Sequence, residues 1–156
     1  TNDAHLTVGT SAATADVHVL ETTVGSSNDM TYQIGNNATV EDVAVTTTIT
    51  GDSNVLRLTE NSTETGSDKV TTITMTGNSN TPTITKSGAG AHNTTINING
   101  ASNVVQAAQV GSAATTFTLD LDASSANINS FQGDTASTVN LDVNGASADV
   151  DIVIQP

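Results

Sequence analysis

A chain of 156 residues with 2% aromatic and 12% charged side chains, no cysteine and a formal charge of −13 lacks the means to build a thick aromatic core or a disulfide framework. Two Lys and one Arg cannot neutralise a phosphate backbone or an anionic bilayer, so nucleic acid is excluded as a partner. No apolar run approaches the ~20 residues of a membrane helix, which excludes helical membrane insertion. The 29 Thr and 16 Asn point to extended structure instead, because branching at Cβ stiffens χ1 and suits a pleated surface.

In chain order, the N-terminal stretch offers two short candidate strands, around Leu6/Val8 and Val17/Val19. The chain opens at Thr1 without a leader, which reads as an already processed product. From Gly25 onward a turn of the form Gly-x-Ser-Asn recurs at Gly25–Asn28, Gly51–Asn54, Gly77–Asn80 and Gly100–Asn103. It decays to Ala123–Ala126 and Gly145–Ala148. The steps between the first residues are 26, 26, 23, 23 and 22 (51−25, 77−51, 100−77, 123−100, 145−123). Gly and Asn tolerate the left-handed backbone of tight corners, and Ser or Asn side chains bond nearby backbone.

Before each turn lies an alternating segment: Thr46–Thr50, Thr72–Thr76, Thr95–Asn99, Thr118–Asp122 and Asn140–Asn144. One face carries Thr47/Ile49, Ile73/Met75, Ile96/Ile98, Leu119/Leu121 and Leu141/Val143. The other runs from Thr48/Thr50 and Thr74/Thr76 through Asn97/Asn99 to Asp120/Asp122 and Asp142/Asn144. After each turn comes a second strand, with Met30/Tyr32, Leu56/Leu58, Pro82/Ile84, Val105/Ala107, Ile128 and Val150/Ile152 facing inward. Pro82 breaks the pattern, since it brings no N–H to a ladder. Between strands lie variable loops at Gly35–Asp42, Thr59–Asp68, Lys86–Asn93, Gly111–Thr115 and Gln132–Ser137. Period two with one apolar face, repeated at a fixed long interval, predicts one all-β domain over residues 1–156. It is a β-solenoid of about six two-stranded rungs and thirteen short strands, each coil burying its thin apolar face against its neighbours. An antiparallel β-sandwich is the alternative.

The repeat resembles that of curlin-type fibre proteins, secreted subunits whose two-stranded coils of similar length stack into amyloid-like β-solenoid fibres. The likeness covers about Gly25 to Pro156 and rests on coil length, two strands per coil and turns such as Gly77-Asn-Ser-Asn80. It implies extracellular fibre assembly.

Enzyme chemistry finds little support. His5, His18 and His92 are far apart in the chain, no Gly-x-Ser-x-Gly elbow occurs, and no phosphate or dinucleotide fingerprint is present. In a solenoid, Asp120 and Asp142 stack in one outward column beside Asp122, with Asp149 and Asp151 on the following strand. Carboxylates at that spacing repel unless salt or a hard cation intervenes, which makes calcium the candidate ligand. Regular Thr-x-Thr columns admit ice binding, but the array gives way to Asn and then Asp. Asn37, Asn61 and Asn93 head Asn-x-Ser/Thr triplets in or beside the loops and are candidate glycosylation sites. Finally, a solenoid has two open ends. Leu6 and Val8 at one, and Val150, Ile152 and Ile154 at the other, are the candidate assembly residues for head-to-tail self-association. The expected role is a secreted filament subunit for biofilm matrix or surface attachment. Its rival is a non-polymerising adhesin or viral fibre module that binds a surface glycan.

Overall fold

The computed structural model describes residues 3–8, 16–38, 40–63, 68–122, 127–133, 137–145 and 147–155. Thirteen strands lie among them: β1 (Asp3–Val8), β2 (Val17–Val24), β3 (Asp29–Ala38), β4 (Val43–Thr50), β5 (Val55–Ser62), β6 (Asp68–Thr76) and β7 (Thr81–Gly88). There follow β8 (Ala91–Asn99), β9 (Val104–Val110), β10 (Thr115–Asp122), β11 (Asn127–Gly133), β12 (Ser137–Asn144) and β13 (Asp149–Gln155). Odd-numbered strands form one seven-stranded sheet and even-numbered strands one six-stranded sheet, each in sequence order. Every pairing is parallel, so the chain is a β-solenoid and the antiparallel sandwich is ruled out. The solenoid is regular over about four turns, fewer than the six expected. Its end strands extend the sheets with looser packing, and Leu141, expected inward, is exposed.

Between the sheets lies a single-file core that includes Met30, Tyr32, Leu56, Leu58 and Ile84 from one sheet and Ile49, Ile73, Met75, Ile96, Phe117 and Leu119 from the other. Apart from Phe117, which precedes the expected Thr118–Asp122 segment, these are the columns expected from period two. Pro82 is buried among them. It pairs with Leu56 on one side, but the β7–β9 ladder begins only at Thr83, directly after it.

The recurrent turn is built from three unlike requirements. Its glycines sit at φ values of 130 to 137° at Gly25, Gly51, Gly77 and Gly100, and Ser27, Ser53, Ser79 and Ser102 sit at 58–59°. The glycine is also a steric necessity: a Cβ on Gly77 would lie 2.3 Å from the Gly51 carbonyl oxygen of the coil below. The asparagine turns inward and is buried at all four positions. The Asn28 backbone N–H donates to Asn54 Oδ1 at 3.0 Å, that of Asn54 to Asn80 Oδ1 at 2.9 Å, and that of Asn80 to Asn103 Oδ1 at 2.8 Å. The side-chain amides of Asn28, Asn54 and Asn103 donate back to the carbonyls of Gly25, Gly51 and Gly100. An asparagine ladder thus seals one corner of the solenoid, satisfying backbone groups that would otherwise be buried unpaired.

The strands exceed their expected bounds on the other side of the coil. β5 continues to Ser62 and β7 to Gly88, while β6 begins at Asp68 and β8 at Ala91. Most of the segments read as loops at Thr59–Asp68 and Lys86–Asn93 are therefore strand, and β3 reaches Ala38 within the expected Gly35–Asp42 loop. Each strand that precedes a turn starts three to four residues early and ends where expected. The decayed turn at 123–126 lies outside the described residues.

The corner geometry sets up a direct test. A Cβ on Gly25 meets nothing closer than Asn28 Nδ2 at 3.5 Å, whereas one on Gly77 collides with backbone. Gly25→Ala should lose about 1–3 kcal/mol for its backbone conformation alone, and Gly77→Ala distinctly more, measured by urea unfolding. Equal losses would mean that the coil below imposes nothing.

Candidate functional site

The feature that sequence patterning missed lies inside the solenoid, at the edge opposite the asparagine ladder. Period two continues past the apolar residues, so the inward column of the odd sheet runs Val8, Ile34, Glu60, Lys86, Gln109 in register. The even sheet places Lys69 beside His92, followed by Thr71 and Thr94. Glu60, Lys69, Lys86, His92, Thr71, Thr94 and Gln109 are all buried. Lys86 Nζ lies 3.2 Å from Glu60 Oε2, and His92 Nδ1 lies 3.6 Å from Glu60 Oε1. Lys86 Nζ also donates to the Lys69 carbonyl at 2.5 Å, to Thr71 Oγ1 at 3.2 Å and to the Asn93 carbonyl at 3.3 Å. One layer further, the Thr94 hydroxyl donates to Gln109 Oε1, and Gln109 Nε2 donates to the Thr116 carbonyl at 3.2 Å.

Burial governs the ionisation of the pair. It pushes the Glu60 carboxyl above its ordinary range, against the pull of the Lys86 and Lys69 charges. It pushes the Lys86 amine below its ordinary range, against the pull of Glu60 and reinforced by Lys69. Both groups are therefore drawn toward their neutral forms, and a proton passed from Lys86 to Glu60 stays within the pair.

The outward residues behave as the sequence columns require. Thr22, Thr48, Thr74, Asn97, Asp120 and Asp142 are successive register partners, as are Thr50, Thr76, Asn99, Asp122 and Asn144. The Thr array thus ends at β6. A shallow groove of about 530 Å³ runs over this face, lined by Thr74, Thr76, Asn97, Asn99, Asp120 and Asp122 among others. Asp120 stands directly beside Asp142, and both are exposed. Asp149 and Asp151 lie on β13, in the other sheet, so the five candidate carboxylates do not converge. Among the described residues no group of three or more His, Asp or Glu side chains is placed to share a metal ion.

The sequons fall in strands rather than loops: Asn37 in β3, Asn61 in β5 and Asn93 in β8. Asn61 and Asn93 are half-buried, and the Asn93 carbonyl serves the buried cluster; the side chain of Asn37 lies outside the described residues. At the N-terminal end, His5 and His18, distant in sequence, line one groove with Ala4, Leu6, Val19, Leu20, Glu21 and Tyr32. Burial and the neighbouring Glu21 carboxylate push the Tyr32 hydroxyl up to about 12. Leu6 and Val8 are half-buried against the core there, as is Val150 at the far end; Ile152 is half-buried too, and the side chain of Ile154 lies outside the described residues. Among the described residues no helix is long and apolar enough to cross a membrane. Comparison with protein-family models, with curated proteins and with solved structures finds no match.

Without Glu60, Lys86 releases its proton more readily folded than unfolded, so the stability of Glu60→Leu rises with pH toward the ordinary lysine value of 10.5. Without Lys86, Glu60 holds its proton more tightly folded, so the stability of Lys86→Met falls as pH rises above the ordinary glutamate value of 4.5. Each single variant should lose about 3–5 kcal/mol near neutrality, and the double variant should recover much of it. Opposite pH slopes in chemical unfolding are the readout, and parallel slopes would refute the coupling. Separately, Asp142→Asn should raise the melting temperature at low salt by relieving the like-charge pair, with the gain vanishing as salt is added.

Proposed function

We propose that the protein is the structural subunit of an extracellular filament, polymerising head-to-tail through the ends of its solenoid to serve a biofilm matrix or surface attachment. The observation that carries this reading is the match between the two ends. Among the described residues, nothing pairs with the outer edges of β1 and β2 or of β12 and β13. Extending the observed register by one coil sets Val150, Ile152 and Ile154 of one subunit against Ala4, Leu6 and Val8 of the next. In the even sheet the same step sets Val139 against Val19. Parallel strands on both sheets would continue without reversal, and the two ends differ in sequence, which favours an open head-to-tail chain over a symmetric dimer. The absence of cysteine and the acidic surface suit a secreted protein.

The polar groove over Asn97, Asn99, Asp120 and Asp122 favours a second reading, an adhesin or viral fibre module that grips a surface glycan. Negative-stain microscopy of concentrated protein, with and without EDTA, separates them. Fibres that vanish in Leu6→Lys or Ile152→Lys support the filament, and dependence on calcium would give the Asp120–Asp142 column a cation. A monodisperse solution with specific glycan affinity would replace the filament by the adhesin.

A further inference from the structure

Glu60 and Lys86 are register partners on adjacent coils, and no solvent reaches either side chain. Lys86 Nζ lies 3.2 Å from Oε2, an oxygen of the very carboxyl group whose carbon it would attack. The carbonyls of Lys69 and Asn93 accept from the same nitrogen. Thr71 Oγ1 stands 3.2 Å from it as a third acceptor; the neutral amine has two protons to share among the three, and its lone pair is free to meet the carboxyl group. His92 stands on the other carboxyl oxygen, Nδ1 to Oε1 at 3.6 Å. A nucleophile, an electrophile and a proton carrier thus meet in a space that water does not enter.

We propose that Glu60 and Lys86 condense within the folded protein to a side-chain amide, a covalent staple between adjacent coils. In this step the Lys86 lone pair adds to Cδ of the protonated Glu60 carboxyl and a C–N bond forms. One C–O bond then breaks, and that oxygen departs as water, carrying the carboxyl proton and one proton from nitrogen. His92 relays the nitrogen proton to the departing oxygen. A carboxylic acid and a primary amine become a secondary amide and water, with no oxidant, reductant or further reactant.

Physical conditions favour the step. Burial draws both groups toward the neutral forms that react. Fixed juxtaposition in a protein corresponds to effective molarities on the order of 10⁵–10⁸ M. The product replaces a buried carboxyl and a buried amine by one amide that needs fewer polar partners, and the sealed interior denies water access for the reverse reaction. The remaining amide N–H keeps the Lys69 carbonyl as acceptor.

Intact mass of the denatured wild-type chain decides the matter without any variant: it should be lighter than the sequence by one water. Trypsin should then fail at the joined Lys86, and the peptide 58–69 should appear only as a branch on 70–156. Glu60→Leu and Lys86→Met should both run at full mass. His92→Gln should lose the water roughly a hundredfold more slowly after synthesis. A wild-type chain at full mass overturns the proposal. So does a missing water accompanied by free peptide 58–69, or by a bond at Lys69 in place of Lys86. An unchanged rate in His92→Gln would remove the histidine from the mechanism.

Discussion

Every coil of this solenoid must bring its chain back to the same point, one strand spacing above the last. From Gly25 to Gly100 that return is enforced by the contact between successive corner glycines. Because Gly51, Gly77 and Gly100 each press on the carbonyl of the corner below, no side chain fits there, and the coil cannot drift sideways. Behind these glycines Asn28, Asn54 and Asn80 lock the vertical step, each donating its backbone N–H to the next asparagine, while the side-chain amides of Asn28, Asn54 and Asn103 donate to the glycine of their own corner. The hydrogen-bonded steps of 26 and 23 residues show that coil length changes while the corner does not. Length variation is pushed to the opposite edge, where the buried charges lie.

This division explains what could be read in the sequence. The glycine–serine–asparagine corner was legible because its residues answer to backbone conformation, which is local. The apolar columns were legible because hydrophobic period two survives from Ile73 to Met75 and from Leu56 to Leu58. The strand portions that carry Glu60, Lys86, Lys69 and His92 were not, because polar residues at inward positions look like the start of a loop. The missed signal was parity: Glu60 follows Leu56 and Leu58 at the same spacing, and Lys86 follows Ile84. Only partners on other coils reveal that these side chains are satisfied inside, and a single strand carries no information about them. The asparagine, expected as a turn former, is equally a core residue for that reason.

The outer columns show the converse. Nothing packs on them, so their identity changes from Thr to Asn to Asp along the axis without disturbing the fold. Stacking then turns sequence drift into a surface gradient, with carboxylates gathered toward β10 and β12 and exposed apolar residues Leu20 and Val24 at the other end on β2. The same stacking keeps Asp149 and Asp151 apart from Asp120 and Asp142, because alternate strands belong to opposite faces.

A stack of near-identical coils carries a hazard that globular folds do not: a slip by one whole coil preserves every glycine corner and most apolar contacts. The buried cluster removes that degeneracy. In the inward column that runs Val8, Ile34, Glu60, Lys86, Gln109, a slip of one coil would set Lys86 against Ile34 or Glu60 against Gln109. Either misalignment strands a charge in the interior at a cost of several kcal/mol, whereas the native register pairs them at 3.2 Å. The regular corner therefore specifies that coils stack, and the irregular charges specify which coil stacks on which. The need for that distinction grows with the regularity of the repeat, since coils that share one corner and one apolar column offer one another the same backbone.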